Sequence, residues 1–254
     1  MADGPSFDAA QVADAYSQLS GVIAGFAFSS IVVLLTYQIA AAREGRQPDG
    51  RMQSALLLLF SCFMGMTTSS LAYSVLSGMK EFGQALEVGH VVAGTGFGVS
   101  GLMGLLGIHQ LILCSNLRIE REIGIVSGSL APLLITAYQV AGLHQVGDSA
   151  ATVFGVCAVV AVLAVASVAP HLRESGAERP EKSPSAYATL SIAGLGVSSI
   201  PSLVVSLLAA AGGTADVPVW PAYAAIVATF LMCSRVMVTF QREVGRSPSA
   251  PMPG

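Results

Sequence analysis

Seven windows free of Asp, Glu, Lys and Arg divide this chain: 15–42, 52–79, 88–117, 123–147, 149–172, 183–215 and 217–234. A helix needs ~20 residues to cross the hydrocarbon core of a bilayer, and a charge held at mid-depth is expensive. Only the last window is short, and there Arg235 can extend its stem to the interface while Val236 to Phe240 complete the crossing. Composition agrees with this division. The chain is 53% apolar and 11% charged, against about 25% charged in an ordinary soluble domain. The pattern predicts an all-α polytopic membrane protein, a seven-transmembrane-helix bundle occupying 15–240. Its spans fall at about 17–41, 54–78, 88–114, 123–143, 150–171, 186–211 and 218–240. Residues 1–14 form an extracytoplasmic segment, and 241–254, ending in GRSPSAPMPG, a cytoplasmic tail expected to be disordered.

Orientation follows from the basic residues, which are retained on the cytoplasmic side. The segments after spans one, three, five and seven hold Arg43, Arg46, Arg51, Arg118, Arg121, Arg173, Arg179, Lys182, Arg242 and Arg246. The opposite side holds only Lys80, together with Asp3, Asp8, Asp14, Asp148 and Asp216. This asymmetry predicts an outside N-terminus and a cytoplasmic C-terminus in the inner membrane of a bacterial-type cell. The acidic start, MADGPSFDAAQVADAY, lacks the basic region of a cleavable signal, so span one is expected to serve as its own insertion signal.

Several function classes are disfavoured at once. No basic run exists to bind nucleic acid. Cys62, Cys114, Cys157 and Cys233 sit in apolar stretches without ligand spacing, which argues against a metal site or disulfide framework. The expected surroundings are the lipid bilayer, with a second copy or another membrane protein as possible partner.

The helices differ in character. Span three is the richest in glycine, with Gly94, Gly98 and Gly101 at i, i+4, i+7, a spacing that lets helix backbones approach closely. It is therefore expected to be the central, buried helix, with spans four and five facing lipid more. Span six carries Pro201, whose missing N–H predicts a kink. AYSQLSGVIAGFAFSSI at 15–31 and AYATLSIAGLGVSSI at 186–200 align as a faint internal repeat.

Groups able to carry chemistry are few. Glu87 and His90 share one face at the outer end of span three, a carboxylate–imidazole pair that could bind a ligand or ion. The bland alternative is an interfacial helix start, with Glu87 near the positive end of the helix dipole. His109 and Gln110 lie near the inner end of the same span. The hydroxyls of Thr67 and Ser70 on span two, and of Ser198 and Ser202 on span six, offer either a polar path or interhelical hydrogen bonding.

Three local likenesses bear on function. GVSGLMG at 98–104 resembles the serine motif of rhomboid proteases, and GHVVAG at 89–94 their histidine helix. Here Ser100 and His90 fall on one helix, ~15 Å apart along its axis, too far for a nucleophile and its base. Seven spans with an outside N-terminus resemble the rhodopsins. Retinal, however, attaches to a lysine of their last helix, and Lys80 and Lys182 both lie outside the spans, so retinal is excluded and no other cofactor is expected. IAGFAF and LLLLFSC resemble the opening helices of Orai-type calcium channels, but that family's pore-lining glutamate falls at Val33. The sequence thus favours an accessory, sensory or binding role, with a small-solute or ion conduit as the alternative and an intramembrane enzyme behind both.

Overall fold

The computed structural model describes residues 9–45, 50–79, 84–115, 120–146, 185–210 and 219–244. These residues are helical apart from short connecting turns, and none of them forms a strand. Helix α1 runs Ala9–Arg43, α2 Gly50–Ser77 and α3 Gln84–Ser115. The short α4, Glu120–Ile125, passes through a π-helical turn, Val126–Leu130, into α5, Ala131–Val146. Helices α6, Ser185–Ala210, and α7, Trp220–Val244, complete the described chain. Span five and the N-terminal eight residues lie outside the described residues.

Among the described residues, four helical segments are long and apolar enough to cross a membrane: Ala10–Arg43, Gly50–Ser77, Leu86–Ser115 and Trp220–Thr239. The run from α4 to α5 is interrupted as a regular α-helix by the π turn, where the Ala131 N–H reaches back to the Val126 carbonyl. Pro132 supplies the physical reason. It has no N–H to donate and its ring crowds the preceding turn, so the ladder shifts register just before it. The backbone stays right-handed through both junctions, with φ −62° at Ile125 and −63° at Ala131. In α6 the helix continues unbroken past Pro201, and the Ser202 hydroxyl adds a bond to the Ser198 carbonyl at 3.0 Å.

Helix α3 is the hub. It packs against α2, α5, α6 and α7, whereas α1 lies along α2 and barely touches α3. The glycine-rich sequence explains why α3 can be surrounded. An ideal Cβ on Gly96 would stand 2.7 Å from Ser69 Oγ and 2.8 Å from both the Ser198 carbonyl and Ser202 Oγ. One on Gly104 would stand 2.8 Å from Cys62 Sγ, and one on Gly107 2.9 Å from Leu59. Opposite them, a Cβ on Gly65 of α2 would collide with Ser100. Without a hydrophobic drive between helices in lipid, such close approach gains dispersion and interhelical hydrogen bonds. One of these is Ser61 Oγ to the Ser191 carbonyl at 2.8 Å. Helix α1 shows the converse, with Phe26 70% exposed and Val33 67% exposed on its outer side. Apolar residues turned outward along a membrane-length helix are what a lipid-facing element requires.

The two segments of the suggested repeat pack differently. Helix α1 lies along α2 extensively, while α6 leans chiefly on α2 and α3 and much less on α7.

Candidate ligand site near the N-terminal end of α3

On α3, His90, Gly94 and Phe97 follow at i, i+4 and i+7, so they lie on one face above one another. Helix α5 runs antiparallel across that face. An ideal Cβ on Gly98 would be 3.0 Å from Ile135, one on Gly94 3.3 Å from Tyr138 Cε1, and one on Gly142 3.3 Å from Val91. These three glycines bring Tyr138 and Gln139 against α3. The same absent side chain at Gly94 leaves its Cβ position 3.5 Å from Tyr73 Oη and 3.9 Å from Gln139 Nε2.

Helix α1 closes the other side. Ser17 Oγ lies 2.6 Å from Ser74 Oγ and donates to the Ser70 carbonyl at 3.0 Å, while Ser70 Oγ returns a bond to the Ser17 carbonyl at 2.9 Å. This clamp fixes the rotation of α1 and sets the adjacent Tyr16 over the site. Tyr16 stacks on Tyr73 with ring centres 5.3 Å apart and planes 21° apart, and meets Phe97 edge-on at 5.5 Å. Such geometries contribute about 0.5–1.5 kcal/mol each beyond area burial. The Tyr16 and Tyr138 side chains lie close to each other, bringing α1 near α5 at this point. The His90 ring lies 6.0 Å from that of Tyr73.

Two nitrogens in this aromatic cluster lack partners. Gln139 is 1% exposed, and its Nε2 makes no hydrogen bond. His90 Nε2 is likewise buried and unbonded. A buried amide or imidazole donor left unpaired costs about 1–3 kcal/mol, so their presence calls for an explanation.

The residues singled out from sequence are distributed as follows. His90 belongs to the cluster, whereas Glu87, one turn above it, is exposed. Gly94 and Gly98 both carry the α5 contact, and a Cβ at Gly101 would rest 3.5 Å from Met66 of α2. The four hydroxyl residues do not share one surface. Thr67 bonds to the Phe63 carbonyl of its own helix and Ser70 faces α1, while Ser198 and Ser202 lie buried against α3. His109 and Gln110 are both buried near the C-terminal end of α3. Ser100 donates to the Gly96 carbonyl at 2.6 Å, on the same unbroken helix as His90. Cys62 and Cys233 are buried, reduced thiols. Among the described residues no three His, Cys, Asp or Glu side chains gather as a metal site.

No known family model, curated protein or solved structure matches this chain. Function must therefore be argued from the site.

Sequence reasoning missed Tyr16, Tyr73, Tyr138 and Gln139. The available signal was the dipeptide Tyr138-Gln139 in the middle of an otherwise apolar span, where an uncharged amide still needs a partner.

Proposed function

We propose that this protein is a multi-pass component of the cytoplasmic membrane with a binding or sensory role, holding a small ligand in the outer half of the bundle between α1, α3 and α5. One observation carries the reading: two buried donors, His90 Nε2 and Gln139 Nε2, sit unpartnered within a cluster of aromatic rings. A few polar groups converging among apolar and aromatic walls are the usual make-up of a small-molecule site. A conduit between α2, α3 and α6 is disfavoured by the van der Waals contact of Gly65 and Gly96 with the facing serines. In this reading His90 binds the ligand, and Glu87 stands at the rim of the site with a smaller contribution.

The accompanying topology is seven spans with the N-terminus outside and the C-terminus in the cytoplasm. Alternation of basic residues from loop to loop supports it. Single cysteines introduced at 43–51, 115–121 and 174–182 are expected to resist an impermeant thiol reagent in intact cells. Those at 4–8, 80–82, 146–148 and 213–216 should label. Reaction at 174–182 in sealed cells would reverse the orientation.

The binding role is tested on protein purified from its own membrane in mild detergent. Native mass spectrometry should show a small-molecule adduct on the wild type. The adduct should be depleted severalfold in His90→Ala and less in Glu87→Gln, with both variants melting near the wild-type temperature. A bare wild-type mass that stays bare after incubation with the organism's lipid extract rules the role out.

A further inference from the structure

Resting on the ligand-binding reading above, we infer that the outer site takes the head group of a lipid-soluble quinone, admitted sideways from the bilayer past Tyr138. Three features define the ligand. Gln139 Nε2 is an unmet donor, and His90 Nε2 is a second one in its Nε2–H tautomer, so a ligand that brings acceptors satisfies both. The helical faces that form the cluster present no Lys or Arg, and Glu87 above them is exposed, so a neutral carbonyl fits better than a phosphate or carboxylate. The walls are flat: the stacked Tyr16 and Tyr73 rings and the edge-on Phe97 select a planar ring over a branched or flexible one.

The entry route follows from Tyr138. Its ring is 53% exposed on the outer surface of α5, yet its inner edge occupies the space that Gly94 leaves open beside Tyr73 Oη and Gln139 Nε2. Tyr138 thus holds the place of a ligand ring, with Tyr16 of α1 close beside it. Rotation of this one side chain toward the lipid frees a ring-sized slot between Tyr73 and α5. Helices α1 and α5 are otherwise scarcely in contact, so an isoprenoid or alkyl tail can leave between them into the bilayer.

The test uses the full chain in phospholipid nanodiscs with decylubiquinone as ligand. Decylbenzene, which has the same tail and a ring without carbonyls, serves as control. Decylubiquinone should raise the melting temperature by several degrees, and decylbenzene should not. Because phospholipid ester carbonyls are present in large excess, a response to added quinone separates it from a lipid ester. Gln139→Leu and His90→Leu should each weaken binding about tenfold or more, the loss expected for one hydrogen bond to a buried polar partner. Gln139→Leu should at the same time melt higher than wild type when ligand-free, since an unpaired amide is removed, and this separates lost binding from misfolding. Should that variant fail to fold, Gln139→Met provides the same readout at closer volume.

Equal responses to decylubiquinone and decylbenzene, or quinone binding unchanged in the Gln139 variants, overturn the assignment. If the natural adduct is present while decylubiquinone has no effect, the quinone assignment alone fails. If no adduct is ever found, the binding role itself fails.

Discussion

Gly96→Leu is expected to yield little or no folded protein. The first added atom alone would stand 2.8 Å from a main-chain carbonyl, that of Ser198, which cannot move without displacing α6. Overpacking a core by a methylene costs about 1–3 kcal/mol, and leucine adds more than that at a contact of three helices. Gly98→Leu should be milder, because it meets only the Ile135 side chain, and Gly196→Leu should be harmless, having nothing within 4 Å. Thermal unfolding in detergent, followed by circular dichroism, ranks the three. A Gly96→Leu melting point within about 2 °C of wild type, under ~1 kcal/mol for a chain of this size, would show that α2, α3 and α6 do not meet at Gly96.

Tyr73→Ala is the second large effect. Tyr73 is 1% exposed and supports both the Tyr16 stack and the His90 contact. Truncating a buried aromatic costs about 3–5 kcal/mol through lost contacts and the cavity left behind. Tyr73→Phe keeps the ring and should be close to neutral. Urea or thermal unfolding should therefore separate the two variants widely. Similar stabilities would mean that Tyr73 faces lipid instead of the bundle.

The helices were readable because lipid excludes charge and helices must be long enough to cross it. The same constraint explains the limits. Span four was marked by its lack of charge, but nothing in that criterion shows that Pro132 shifts the ladder into a π turn. Gly94, Gly98 and Gly101 lie on α3, which packs against α2, α5, α6 and α7. Yet α3 also carries Gly89, Gly96, Gly104 and Gly107, so glycines occur on every face and spacing cannot say which neighbour meets which. Only the packed structure shows that Gly96 meets the main chain of α6 at Ser198 and that Gly94 serves a different partner, α5. The site itself was half visible. His90 stood out as ionisable, whereas three tyrosines and a glutamine from three other helices have no linear pattern linking them. Glu87 drew attention by its charge, but it is an exposed residue in the first turn of α3, where a carboxylate suits the positive end of the helix dipole.

The position of α6 in the chain has a consequence for how the protein is made. Helices α2 and α3 are complete by Ser115, but the contacts that Gly65 and Gly96 make with Ser198 and Ser202 must wait for α6, which begins at Ser185. At roughly 5–20 residues per second, synthesis must continue for on the order of ten seconds before that partner leaves the ribosome. Throughout that interval the glycine and serine face of α2 and α3 is turned toward lipid or toward the insertion machinery. The α1–α2 pair, locked by Ser17, Ser70 and Ser74, can assemble at once. Biogenesis is thereby divided into an early hairpin and a late-closing centre, and the late step is where a nascent chain is open to capture by the wrong helix.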